Sequence, residues 1–159
     1  MHGTSYARLL AGALFLLLPG IGAAQISVVK NADLAFGSLG TSASAGTAVL
    51  NAATGVVTVT GGVVNLGGTR TAASFTVTAP NPPGARGYTI VLPASATLSG
   101  PGAATMIVDT FTSNPPCCAG LVNGATRTQV VTVGATLHVA ANQAQGDYSG
   151  TATFIVTRP

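Results

Sequence analysis

Twelve residues near the end of the sequence, Gly146 to Thr157, alternate as a β-strand does. Tyr148, Ala152, Phe154 and Val156 take the even positions, while Ser149, Thr151, Thr153 and Thr157 put hydroxyls on the odd ones, with Ile155 the exception. Successive strand side chains point to opposite faces, so this segment presents one apolar and one polar face. A strand of that kind is stable only when a second layer covers its apolar side. The chain is therefore expected to be a layered β protein.

The rest of the sequence repeats the theme. No helical period longer than two turns follows the amino-terminal segment, and runs of β-branched residues recur between Gly, Pro, Asn and Ser. The expected strands are Ile26 to Val29, Leu34 to Phe36, Ala48 to Asn51, Val56 to Thr60, Val63 to Leu66 and Ser74 to Thr78. Further strands are expected at Tyr88 to Leu92, Met106 to Phe111, Thr128 to Val133, Thr136 to Ala140 and Tyr148 to Thr157. Phe75 and Val77 oppose Ser74, Thr76 and Thr78; Tyr88, Ile90 and Leu92 oppose Thr89. Gly61-Gly62 reads as the tight loop of a hairpin, since both residues tolerate positive φ. Pro80 to Gly84 and Ser113 to Pro116 close two other strands, because proline cannot donate into a ladder. Strand number and spacing point to an all-β, immunoglobulin-like two-sheet sandwich.

Residues 1–24 have the parts of a secretory signal: a short basic stretch ending at Arg8, an apolar run from Leu9 to Leu18, then Pro19-Gly20 before small residues. Cleavage after Ala24 is expected, with residues 25–159 forming one domain. The apolar run is shorter than the roughly 20 residues of a bilayer-spanning helix, so no permanent membrane span is expected. No cysteine stands where a lipoprotein would need one. The expected location is the periplasm, the cell surface or the extracellular space.

Charge excludes some partners. Beyond the signal stand Lys30, Arg70, Arg86, Arg127 and Arg158 against Asp33, Asp109 and Asp147, with no Glu. Scattered cations form no patch for counterion release, and few aromatics are available for base stacking, so nucleic acid is not a partner. Thr, Ser, Asn and Gly take over the surface that Lys, Glu and Asp normally keep dispersed. That suits a protein packed in an assembly or held at an envelope, and it equally suits a neutral secreted monomer.

The sequence contains no motif for catalysis or for a cofactor. His138 is the one histidine beyond the signal, on the face opposite Leu137 and Val139, and Asp147 or Asp109 would have to orient it in a triad. The Gly-x-Ser-x-Gly elbow is missing, so His138 is expected to be a solvent-facing strand residue. Three carboxylates in turn-like or edge positions make a poor glycosidase pair. One histidine and scattered aspartates show no metal-ligand spacing, and Gly67-Gly68 lacks the Lys-Ser/Thr of a phosphate loop. No enzyme, metal or cofactor is expected. Cys117-Cys118 lies in a proline-flanked loop of a protein bound for an oxidising compartment. A vicinal disulfide is the first reading, unpaired or intermolecular thiols the second, and metal or redox chemistry the last. Adjacent Cα atoms sit closer than ordinary disulfide geometry prefers.

Five landmarks occur in order: Leu34 to Ser38, Ala73 to Thr78, Tyr88 to Pro93, Val133 to Leu137 and Gly146 to Thr151. Across nearly all of residues 25–159 the chain resembles the secreted bacterial family catalogued as domain of unknown function 4402. The early Phe36-Gly37 and the Gly-x-Tyr before the terminal strand are more distantly similar to spore-coat-U-type subunits of archaic chaperone-usher pili. That resemblance implies an incomplete sandwich that lends an N-terminal strand to its neighbour, with Ile26, Val28, Ala32 and Leu34 as donor knobs, interrupted by Lys30. It implies an acceptor or chaperone-binding strand carrying Tyr148, Ala152, Phe154 and Val156. The partners implied are copies of itself or related subunits, a periplasmic chaperone and an usher. The short run before Phe36-Gly37, the missing early cysteine and the Arg158-Pro159 ending depart from the pilin pattern. The N-terminal run then reads equally as the first strand of a self-complete domain.

A non-enzymatic fimbrial or cell-surface subunit assembling by strand exchange is the first expectation. The alternative is a self-contained module binding a glycan or protein through the loops 81–87 and 113–124.

Overall fold

A computed structural model describes residues 26–80, 88–116 and 126–157. The protein is all β, with eleven strands and a single 3-10 turn at Pro101–Ala103 among the described residues. The strands are β1 (Ser27–Ala32), β2 (Ala35–Gly40), β3 (Gly46–Leu50), β4 (Val57–Gly61), β5 (Val64–Thr71), β6 (Ala73–Pro80), β7 (Thr89–Val91), β8 (Ser95–Ser99), β9 (Thr105–Asn114), β10 (Thr126–Val139) and β11 (Ile155–Thr157).

The longest strand organises the rest. Residues Thr126 to Val133 of β10 pair with β6, and Ala135 to Val139 pair with β3. Thr132 faces both Ser74 and Asn114, while Thr136 faces both Val49 and Asp109, so β6 and β3 lie end to end along one edge and β9 takes the other. β1 extends this sheet beyond β6, β4 beyond β3, and β8 beyond β9. Gly134 marks the change of partner. A Cβ there would collide with the carbonyl oxygen of Leu50 and lie 2.6 Å from the Ala52 nitrogen, so only glycine lets β10 pass this close to the end of β3. The two strands expected on either side of Gly134 are thus one.

The covering layer is in two pieces. β2 pairs with β5, and Leu34, Phe36 and Leu39 pack on a core that includes Ala48, Leu50, Val108, Ala135 and Leu137. β7 pairs with β11, and Tyr88, Ile90 and Val156 pack with Val77 and Val131. Tyr88 is buried, its hydroxyl donates to Gln129 Oε1 at 2.8 Å, and burial pushes the phenol above its ordinary pKa. The sandwich-like, all-β expectation is met.

One expected hairpin is replaced by another. β4 pairs with β3, and β5 with β2, so Gly61-Gly62 is a corner between sheets and not a hairpin loop. The chain needs glycine there for close approach: Gly62 N donates to Ala45 O at 3.1 Å, and a Cβ on Gly61 would lie 2.5 Å from that same oxygen. The true hairpin turns at Asn51, whose side-chain oxygen accepts from the nitrogens of Ala53 at 2.8 Å and Thr54 at 3.1 Å. β8, with Ala96 and Leu98 on its inner face, joins the expected set.

The Gly-Asp-Tyr stretch forms a tyrosine corner. The Tyr148 hydroxyl donates to Ala144 O at 2.7 Å and accepts from Gln143 Nε2 at 2.8 Å. The ring lies on Gly100, where a Cβ would come within 2.6 Å of Cδ1. Tyr148→Phe keeps the ring and removes both bonds, so it is expected to cost about 1 kcal/mol in urea unfolding. Gly100→Ala is expected to cost more, because the ring must move.

Candidate functional site

The terminal segment sets up the site. Ser99 and Ser149 exchange backbone bonds of 2.8 and 3.0 Å, which ties the start of the segment to β8, and Ile155 to Thr157 pair with β7 at its end. Between them, Gly150 to Phe154 have no backbone partner among the described residues. Their burial nevertheless alternates like a strand: Ala152, Phe154 and Val156 are half-buried, whereas Thr151, Thr153, Ile155 and Thr157 are exposed. This is a strand by side-chain placement that lacks its ladder.

Alongside it runs a groove of about 950 Å³. One wall is the chain from Lys30 to Gly37, the other is Tyr148 to Phe154, and the floor is formed by Ala73, Phe75, Ala96, Leu98, Val108 and Phe111. Phe154 reaches across it, edge-on to Phe75 at 5.1 Å and to Phe111 at 6.2 Å between centroids. A narrower cavity of about 140 Å³, lined by Val28, Val77, Ile90, Val131, Val133 and Val156, shares Phe75 and Phe154 with the groove. No ladder joins β2–β5 to β7–β11, and the groove is bordered by β2 and by the run that leads into β11.

Three of the four residues expected to act as knobs line these spaces. Ala32 and Leu34 face the groove, half-buried, and Val28 faces the small cavity although 45% exposed. Ile26 packs beside Tyr88 and Ile90. Val28 belongs to β1, which pairs with the chain's own β6, and Ile26 immediately precedes that strand. Lys30 and Asp33 form an exposed ion pair of 2.7 Å at the groove rim. The expected ten-residue terminal strand is paired only at Ser149, with Ser99, and over Ile155–Thr157, with β7; Gly150 to Phe154 between them have no described backbone partner. Phe36 in the groove wall and Phe75 and Phe111 in its floor were not expected as site residues, although Phe36 sits in the Phe-Gly landmark. Cys117, Cys118, the segment 81–87 and most of the 113–124 loop lie outside the described residues.

A second cluster sits on the outer face. His138 Nε2 donates to Asp109 Oδ1 at 2.9 Å, and Thr110 Oγ1 donates to the same oxygen at 2.9 Å. Gly134 faces Thr112 while Thr136 faces Asp109, so β9 carries one residue more than β10 here. That bulge puts Thr110 at φ +48°, a strained value for a β-branched residue that costs about 1–3 kcal/mol. The carboxylate, not the imidazole, is the centre of this cluster. His138 is exposed, as expected, and no set of three metal-ligating side chains occurs among the described residues.

The hydrogen bond from His138, then that from Thr110, holds the Asp109 carboxyl below its ordinary pKa. A carboxyl depressed in the folded state favours folding above its ordinary pKa, and that contribution fades as pH falls through the lowered folded value. Asp109→Asn is therefore expected to flatten the acid limb of melting temperature against pH, leaving less difference between variant and parent at about pH 2 than at pH 7. An identical gap at both pH values would refute the linkage.

The family comparison matches residues 26–157 to the model described as "Domain of unknown function (DUF4402)". The chain belongs to that family. The match covers every strand described above, and the unladdered terminal run of this DUF4402 protein falls within it. Comparisons with curated proteins and with solved structures give no match for it. Among the described residues, no helix is long and apolar enough to cross a membrane.

Proposed function

We propose that the protein is a non-enzymatic, exported structural subunit of a fimbria or cell surface that assembles by β-strand exchange. The observation that carries this reading is the Gly150 to Phe154 backbone, unpaired along an apolar groove whose other wall is the N-terminal segment. An extended segment placed there gains a ladder from the backbone and fills pockets with alternate side chains, the mode of strand addition in general. The donor in this reading is the N-terminal segment of a neighbouring copy, with Ile26, Val28, Ala32 and Leu34 facing inward. β1 is suited to exchange, because Ser27 to Asn31 are exposed and only β6 holds them in a ladder. Leaving its own sheet therefore forfeits a ladder that a neighbour restores. A periplasmic chaperone and an usher would handle the groove before assembly.

A synthetic peptide of residues 25–34 tests this directly. It is expected to raise the melting temperature saturably, as a ligand of the folded state must. The same peptide with Val28→Asp and Leu34→Asp is expected to have no effect. Equal shifts from both peptides, or none from either, would count against strand acceptance.

A further inference from the structure

The outer face carries an open, shallow hollow that strand exchange does not use. It occupies about 650 Å³ over β9, β10 and β3, within the range of small-molecule sites. The ladder sets His138 directly between Ile107 and Thr47, and the bulge lifts Asp109 into the same hollow. Both internal hydrogen bonds land on Asp109 Oδ1, so Oδ2 is free to accept among the described residues. Gln143 closes one end. Its Nε2 donates to Thr105 O at 3.2 Å and to the Tyr148 hydroxyl at 2.8 Å, which fixes the amide and leaves Oε1 without a described partner.

The hollow thus offers acceptors anchored by their neighbours above an aliphatic floor, Ile107, which is 51% exposed. Its polar complement is a ligand rich in hydroxyl donors, and its apolar complement is a face of C–H groups. A pyranose ring carries both on one rigid body. The Thr110 hydroxyl and the His138 imidazole, both donating to Oδ1, orient the carboxylate before any ligand arrives. We propose that this hollow binds a neutral hexopyranose unit, with Asp109 Oδ2 and Gln143 Oε1 accepting from its hydroxyls and Ile107 under the ring. The hollow shares no lining residue with the groove, though Tyr148 of the groove wall anchors Gln143, and the proposal stands whether or not strands are exchanged.

The imidazole of His138 is a reporter inside the site. The chain has one other histidine, His2, and a His138→Asn spectrum assigns the signals. Methyl glucopyranoside, galactopyranoside and mannopyranoside are titrated separately, with open-chain mannitol as control. At least one pyranoside is expected to shift the His138 resonances saturably, and Asp109→Asn and Ile107→Ser are each expected to weaken it at least tenfold, about 1.4 kcal/mol. The proposal is overturned if no pyranoside gives a saturable shift, if mannitol reproduces the shift, or if both variants bind like the parent.

Discussion

Gly134→Ala is expected to destabilise the fold by about 1–3 kcal/mol or more, the usual range for an atom forced into a packed interior. The added methyl would meet the backbone of Leu50, which pairs with Ala135 of β10 and Val57 of β4, and that of Ala52 in the turn that follows. No flexible side chain can move aside. Either β10 shifts and strains its pairing with β9, or β3 is pushed away and its core residues Ala48 and Leu50 lose packing. Urea unfolding should show a lower midpoint with an unchanged slope, since the surface exposed on unfolding stays the same. A variant as stable as the parent would mean that β10 is not pinned at this crossing.

Ala152→Trp is expected to leave a folded protein and remove its assemblies. Ala152 is half-buried on the inward side of the unladdered run, beside a groove of about 950 Å³. An indole there has room, so the cost to the isolated fold is small, and its apolar contacts with the floor offset it. The same indole takes the space that a neighbour's alternate side chains would need. A stability change and an assembly change are thereby separated, which truncating β1 cannot do because β1 also completes the edge of its own sheet.

Much of this arrangement is legible in the residues. The even-face alternation from Tyr148 to Val156 gives the orientation of each side chain, and Phe75, Val77, Tyr88 and Ile90 turn inward as their alternation requires. Alternation says nothing about partners, however. The terminal run looks like a strand in sequence because its apolar face is covered, while its Gly150 to Phe154 backbone has no described partner. Gly61-Gly62 resembled a hairpin because glycine serves both tight turns and close approaches. The Asx turn at Asn51, which closes the real hairpin, carried an equally local signal. Gly134 read as a break between strands for the same reason. The Asp109 and His138 pair depends on a single-residue bulge, and a register shift of that kind leaves no mark on periodicity.

Light scattering on the parent and on Ala152→Trp after prolonged incubation bears most directly on strand exchange. The parent is expected to form multimers and the variant to remain a folded monomer. Multimers of the same mass from both proteins, or a parent that stays monomeric throughout, would contradict assembly through the groove.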